Sequence, residues 1–422
     1  MDNSNIKLLY GVKEWSLFIS TLTAILCFNL LLEYHQFKRF KTNEIYAVQG
    51  YVENIYPKED FNTIKLQTPD FHFFTSSSKY IILKRFEQVQ VMILTSKVDF
   101  WDYLRGFYAS SINIYTTHSP KRLKEKLSFG VASQHDHELF KELYNALFFA
   151  IPVSKHLREV CTYFGISHLI AISGFHLGLL SFILYWIFYA PYTYVHRKYF
   201  PYRNKKYDIL LLCTFFLLSY LIFTSLIPSL LRAFVMFVLG IIFLRSNIKI
   251  LSFETLFITT LLIVAFFPKY IFSLSLWFSI SGVFYIFLFL KYFNKISKIG
   301  QFALFNCWIY LAMNPITHYF FGTISYLQLF SPLITVLFTL FYPLELLLHL
   351  IGYGGIFDDY LLQVVQLKPY ASELFTPLWF LFIYGAISLL SPLRKEAFIV
   401  LNILLVLFNG YIFYLNSGYW SW

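Results

Sequence analysis

The sequence predicts an α-helical polytopic membrane protein of about nine spans, with a small OB-like β-barrel domain inserted on the outer side. Three observations carry that prediction. Apolar residues make up 58% of the chain and charged residues only 14%, whereas soluble domains carry about 25% charged residues. The apolar residues fall in runs long enough to cross a bilayer, divided by basic loops. After the first run, hydropathy drops for more than 100 residues, and part of that stretch alternates as strands do.

Charge is uneven along the chain. The net value is +11, and residues 167–422 hold 15 basic groups against 7 acidic. Basic groups retained in cytoplasmic loops account for such an excess. Cys27, Cys161, Cys213 and Cys307 form no C-x-x-C, so neither a disulfide framework nor a zinc site is indicated.

Met1–Glu14 is a short polar tail. Trp15–Leu32 is long enough to span and no A-x-A cleavage site follows it, so it reads as a retained anchor. Residues 1–32 are thus tail and first anchor. Residues 33–120 are the expected β domain. IYAVQGYVENIY, FNTIKLQ, FHFFTS, KYIILKRF and EQVQVMILTS are short, rich in β-branched and aromatic residues, and divided by Pro, Asp, Ser and Lys breaks. Five such strands suit an OB barrel; a plain β-sandwich is the alternative. Tyr46, Tyr51, Phe61, Phe73 and Tyr80 either stack bases or build the core and rim. The balance of 7 basic and 7 acidic groups over residues 45–118 favours the second role, since a domain gripping phosphates alone should be basic.

Residues 121–166 read as interfacial helices. Lys121, Arg122, Lys124 and Lys126 form a basic cluster that contacts either phosphates or lipid headgroups. His135-Asp136-His137 lacks a third ligand type nearby and reads as a solvated loop. Leu139–Ala150 and Val153–Phe164 are amphipathic helices broken at Pro152, expected along the membrane surface.

Residues 167–422 form the polytopic domain. Leu169–Tyr189 precedes a basic loop with Arg197, Lys198, Arg203, Lys205 and Lys206, which places that loop inside. Tyr207–Leu226 returns outward, and Pro228–Leu244 comes back with proline at a helix start, where its missing N–H costs nothing. Arg245 and Lys249 then fall inside. Phe253–Phe267 and Ile271–Leu290 make a hairpin turning outside at Pro268-Lys269, and Lys291, Lys295 and Lys298 fall inside. Gln301–Phe321 is broken by Asn314-Pro315 and reads as re-entrant or as two short helices. Leu327–Leu350 is the next span, containing Pro343 and Glu345; Leu374–Leu390 and Phe398–Leu415 are the last two.

The candidate site lies in SHLIAISGFHLGLL, Ser167–Leu180. Polar groups inside a bilayer are costly and need a reason. On one helix, His168 and His176 would sit about 80° apart and share a broad face, though not at the i, i+4 spacing of a metal site. Each either lines a path or makes an interhelical hydrogen bond. Ser173 adds a hydroxyl. Ala171, Gly174, Gly178 and Ser181 form a small-residue stripe suited to helix packing. Arg232, in PSLLRAFVMF, either snorkels to the outer headgroups or faces an anion within the bundle. Glu345 either pairs with a basic group or contributes to a pore. The chain has no G-x-x-x-x-G-K-[ST], G-x-S-x-G or H-E-x-x-H, so no catalytic constellation, metal or cofactor is expected.

SHLIAISGFHLGLL resembles the signature HLLAISGLHVGL of the ComEC family of competence proteins. IPSLLRAFVMF resembles that family's R-A-x-x-M segment, with Arg232, Ala233 and Met236 on the motif. Asp99–Ser111, DFWDYLRGFYASS, resembles the family's exit from its OB domain. SLSLWFSISGVFYIF resembles its F-x-L-S-F-x-A-V-x-G segment. LFSPLITVLFTLFYPL resembles its N-x-x-x-x-P helix, without an obvious Asn. The resemblance spans roughly residues 15 to 415. It implies an inner-membrane channel that passes single-stranded DNA into the cytoplasm during transformation. It also implies a DNA receptor on the outer side, motive force from a separate cytoplasmic ATPase or the proton gradient, and a lipid bilayer as surroundings. Single-stranded DNA would pass near His168, Ser173, His176 and Arg232. One anchor precedes the β region where many members have two. A C-terminal metallo-β-lactamase-like domain is expected to be lacking, so no nuclease role carries over. The alternative is a secondary transporter for a small anion with the histidines as proton relay, which the lack of a clear internal repeat disfavours. A membrane-embedded hydrolase is a third reading, weakened by the missing motifs.

Overall fold

The computed structural model describes residues 11–117, 123–243, 252–367 and 369–418. The expected basic positions Lys121, Arg122, Arg245 and Lys249 lie outside the described residues.

The first apolar run belongs to a longer helix, α1 (Val12–Phe40). At 1.5 Å per residue it is about 43 Å long, more than the roughly 30 Å of hydrocarbon in a bilayer. The surplus is used: Phe37 and Phe40 are buried in the core of the β domain, where Phe40 packs on Tyr46, Phe71, Tyr103 and Phe107. Anchor and β domain therefore share one core.

The domain contains β1 (Ile45–Pro57), β2 (Phe61–Gln67), β3 (His72–Ser78), β4 (Gln88–Leu94), α2 (Phe100–Arg105), β5 (Phe107–Tyr108) and β6 (Ser111–Thr117). Its sheet runs β5-β3-β2-β1-β4-β6. β1 is long enough to serve two partners: Ile45–Tyr51 pairs with β4, and Tyr51–Pro57 pairs with β2 across an irregularity at Val52/Asn54. Period-two alternation turns Val52, Ile64, Leu66, Phe73, Val89, Val91 and Ile93 inward. Phe73 is thus core, while Tyr80 is exposed. KYIILKRF, expected as a strand, lies between β3 and β4. Strand pairing does not close the sheet into the expected barrel. β5 is only two residues, paired parallel to β3, and the chain then crosses to run antiparallel to β4 as β6. Between those edges Ser111 Oγ donates to the Ser76 carbonyl at 2.7 Å. Gly106 precedes β5 at φ 90°, a conformation that favours glycine, and a Cβ there would clash with the His72 ring.

The remainder is helical apart from one short strand pair. α3 (Leu123–Ala132), α4 (Glu138–Phe149) and α5 (Lys155–Tyr163) lead to a short α6 (Ser167–Ile170). α4 and α5 fall where two amphipathic helices are expected, with Pro152 between them, and Ser154 caps α5 by accepting from the Leu157 N–H. The apolar face of α4 is covered by protein: Phe140, Tyr144, Leu147 and Phe148 cluster with Phe338 and Tyr342.

Then come α7 (Gly174–Tyr199), α8 (Lys205–Phe223), α9 (Pro228–Phe243), α10 (Phe253–Phe266), α11 (Leu274–Tyr292), α12 (Lys298–Phe320), β7 (Thr323–Ser325), α13 (Ser331–Leu350), α14 (Asp358–Val365), β8 (Ala371–Glu373), α15 (Leu378–Leu390) and α16 (Lys395–Gly418). Among the described residues, six helical segments are long and apolar enough to cross a membrane: Val12–Phe40, Gly174–Tyr199, Lys205–Phe223, Leu274–Tyr292, Tyr326–Leu350 and Lys395–Asn416. Pro228–Ile242, Phe253–Phe266 and Leu378–Leu390 are shorter apolar helices.

The expected break at Asn314-Pro315 does not occur, and α12 runs through it. Pro315 has no N–H for the Leu311 carbonyl. Asn409 of α16 takes over, its Nδ2 donating to Leu311 O at 3.2 Å while its Oδ1 accepts from Asn314 Nδ2 at 2.6 Å. A distant amide thus repairs the helix where proline would otherwise interrupt it.

Candidate functional site

The stretch expected to be one helix is two helices with a break. α6 ends at Ile170, Ala171–Ser173 is not helical, and α7 begins at Gly174. Ser173 is the N-cap. Its Oγ accepts from the Phe175 N–H at 3.3 Å, and its own N–H donates to His176 Nδ1 at 3.2 Å. The arrangement is a capping box with histidine at the third helical position. The predicted 80° relation between His168 and His176 therefore does not hold, because the two rings belong to different elements.

The capping contact fixes the His176 tautomer. Nδ1 accepts, so the proton sits on Nε2. That Nε2 is buried and has no hydrogen-bond partner among the described residues. It faces apolar surroundings, with Tyr342 at 4.7 Å in an edge-to-face arrangement and Phe338 at 6.0 Å. His168, on α6, is tied elsewhere. Its Nδ1 bonds the Gly165 carbonyl at 3.1 Å, and its Nε2 lies 3.3 Å from Thr335 Oγ1.

Both histidines therefore meet α13. One face of that helix carries Ser331 against Gly165, Thr335 against His168, Phe338 and Tyr342 against His176, then Glu345 and His349. These positions recur at three- and four-residue steps, as one helical face requires. On the opposite face Leu333, Leu337, Leu340, Leu344, Leu347 and Leu350 are exposed. Sequence reasoning singled out Glu345 alone on this helix. The periodic signal was present, but the polar residues stand too far apart along the chain to resemble a motif.

Arg232 completes the site from α9. It is only 5% exposed. Nε donates to Ser279 Oγ of α11 at 2.8 Å, and Nη1 lies 3.2 Å from the Met236 sulfur. No carboxylate lies within ion-pair distance of it among the described residues. A Cβ on Gly174 would come within 3.2 Å of Arg232 Nη2 and 3.3 Å of Ala233 Cβ. Glycine at the first position of α7 thus lets the guanidinium reach the helix start. Ser229 Oγ fixes the same junction by donating to the Ile172 carbonyl at 2.7 Å.

Chemically, this is a buried cation beside the broken start of a helix, where free N–H groups and the helix dipole add positive potential. Such a place attracts an anion. The structure sets Gly174 against Arg232, joins Ser173 and His176 in the capping box at the same helix start, and leaves His168 on α6 against α13. The small residues do not make one stripe. Gly174 is in close packing, Ala171 is exposed in the break, Gly178 is exposed with no neighbouring atom within 4 Å of a built Cβ, and Ser181 Oγ donates within its own helix to the Gly178 carbonyl.

The β domain carries a separate cavity of about 470 Å³ lined by Phe61, Ser76, Ser78, Tyr108, Asn113 and Tyr115, among others. Tyr108 and Tyr115 are about half exposed there.

His135, expected in a solvated loop, is buried at 4% exposure, whereas Asp136 and His137 of the same loop are exposed. His135 bonds Asp358 and His349, which lie 223 and 214 positions away. Neither partner is visible from local sequence.

A family model described as Competence protein matches residues 152–415, more than half of the chain. No curated protein matches it.

Proposed function

The chain belongs to the competence protein family, the ComEC type, and on that premise we propose that it is the channel through which single-stranded DNA enters the cytoplasm during transformation. Membership gives it a role in competence and DNA uptake and makes it a multi-pass membrane protein. The finer claim, passage of one strand through this bundle, is carried by Arg232. A guanidinium buried in an apolar bundle without a carboxylate partner is costly unless an anion visits it. A phosphodiester backbone supplies one anion per nucleotide, so a single positive constriction can be reused as each phosphate passes. Ser173 and His176 cap the helix start that the guanidinium reaches at Gly174, and His168 lies on the adjoining α6; all three remain proposed path residues. No residue here is assigned to bond chemistry. A DNA receptor on the outer side and a separate ATPase or the proton gradient remain the proposed partners. Gly178 and Ser181 remain proposed packing positions, for a helix outside the described contacts.

We propose nine crossings, with α12 spanning and α13 lying on the outer side. Four sets of contacts support this arrangement. Trp15 meets Phe257 while Asn29 meets Ala265, so α1 and α10 run parallel. Trp308 meets Asn402 and Asn314 meets Asn409, so α12 and α16 run parallel. Tyr285 meets Ser388 and Tyr292 meets Ser391, so α11 and α15 run parallel. Finally, β7 pairs with β8, which puts both ends of the intervening segment on one side. With Lys291 and Lys298 inside, that side is outside, as is the β domain. In a cysteine-free background, Tyr353→Cys should react with a membrane-impermeant maleimide added outside intact cells. Labelling only after the membrane is breached contradicts this placement of α13.

The β domain, an open six-stranded sheet whose edges approach where β5 runs into β6, is proposed to receive the incoming strand. Its Tyr108 and Tyr115 would offer stacking faces to an incoming strand. The runner-up, transport of a small anion, would use the same guanidinium. Deleting the gene separates the two. The channel reading expects transformation to be lost by orders of magnitude with small-anion fluxes unchanged; normal transformation with a lost anion flux supports the transporter.

A further inference from the structure

We propose that His135, His349, Asp358 and Glu345 form a binding site for a single proton, shared between the two imidazoles, which holds α13 and α14 against the α3–α4 connection.

Three contacts form a chain. His135 Nδ1 lies 2.9 and 3.0 Å from the Asp358 carboxylate oxygens. His135 Nε2 lies 2.9 Å from His349 Nε2. His349 Nδ1 lies 2.7 Å from the Glu345 carbonyl oxygen. Each contact needs one hydrogen between its atoms. Two neutral imidazoles supply two. If both carry hydrogen on Nδ1, two ring lone pairs face each other across 2.9 Å. If His349 carries it on Nε2, its Nδ1 lone pair faces a carbonyl. If His135 does, its Nδ1 lone pair faces a carboxylate. With Asp358 ionised, every arrangement of two neutral rings leaves one contact between two acceptors, and one added proton satisfies all three.

The surroundings suit the added charge. The titratable groups facing the pair are Asp358 at the start of α14, Glu345 on α13 and Tyr144 on α4. Glu345 is 1% exposed, and its carboxylate lies 3.3 Å from His349 Nδ1. Two buried carboxylates thus flank the imidazole pair, one at each end. Tyr144 stacks on His135 at 4.5 Å and packs on His349 at 4.6 Å. Gln134 holds the geometry, its Nε2 donating to the His349 carbonyl at 3.1 Å and its Oε1 accepting from the Gly354 N–H at 2.9 Å. Taken singly, His135 is a weaker base than free imidazole because burial disfavours its charge, against the opposing pull of Asp358. The shared proton differs, since it is held by two rings at once and its loss leaves a contact no tautomer repairs.

The sign of the pH dependence follows. A proton held more tightly in the folded state than in the unfolded one stabilises the fold below its titration, and that stability is lost as pH rises through it. A pair buried merely as neutral rings behaves oppositely and loses stability on acidification. Asp358→Asn distinguishes the two, because its amide N–H donates to His135 Nδ1 and supplies the third hydrogen without a proton. The full-length protein in lipid nanodiscs is melted between pH 5 and pH 9. We expect wild type to lose roughly 2 °C per pH unit relative to Asp358→Asn as pH rises, and the variant to be the more stable at alkaline pH. A wild-type-minus-variant difference that is flat, or that grows with pH, overturns the proposal. Histidine ¹⁵N spectra of the same samples give a second readout: one doubly protonated ring in wild type and neither of this pair in the variant. Two neutral rings in wild type at the acid end also overturn it.

Discussion

Arg232→Gln should lower transformation about a hundredfold and leave the protein inserted in the membrane at wild-type level. The size follows from losing a charge-assisted contact of about 3 kcal/mol to each passing phosphate. The sign for stability runs the other way. Arg232 is buried without a carboxylate partner among the described residues, so the folded protein bears its desolvation cost against hydrogen bonds to Ser279 and the Met236 sulfur. Glutamine removes the charge and keeps a donor of similar length. Its melting temperature should equal or exceed that of wild type, a cost in stability kept for function. Arg232→Lys keeps the charge but not the planar fork and should fall between the two. Frequencies are compared at matched protein level in membranes. Wild-type transformation with a lowered melting temperature would make Arg232 a packing residue.

His176 yields the second large effect, and two substitutions separate its roles. The ring caps α7 through Nδ1 and offers a buried, unpartnered Nε2–H. His176→Asn places an amide oxygen near Nδ1 and retains the cap, but removes the Nε2 donor. His176→Ala removes both. Each should lower transformation about tenfold, the equivalent of one hydrogen bond of ~1.4 kcal/mol. The alanine variant should also lose about 1 kcal/mol of stability with its half of the capping box. If asparagine transforms like wild type and only alanine fails, the ring serves the helix start alone.

The architecture was legible where it depends on local composition. Apolar runs located the long helices, and alternation located β1 to β4 but neither β5 nor β6. Pro152 between α4 and α5 was read correctly because a proline stop acts on its own neighbours. The start of α7 was not. A capping box is read from Ser or Thr followed three residues later by Glu or Gln; here histidine fills that place, and Ala171–Ser173 reads as ordinary apolar helix. Pro315 misled for the opposite reason. Its rule is local, but its remedy, Asn409, lies in another helix. His135 shows the same limit: exposed neighbours made the loop look solvated, while its partners come from α13 and α14. Of the candidate site, the polar residues were identifiable because bilayers penalise them. Their grouping around a helix break, and the α13 face they share, depend on packing that no local pattern encodes.

The central claim is that DNA crosses the membrane through this protein past Arg232. It is tested most directly by following labelled donor DNA in a competent strain carrying wild type, Arg232→Gln or a deletion at this gene, and measuring label on the outer side of the membrane and in the cytoplasm separately. The account predicts that both altered strains still bind and accumulate label outside, while cytoplasmic entry falls about a hundredfold in the variant and to background in the deletion. Normal cytoplasmic entry in the deletion strain would contradict it.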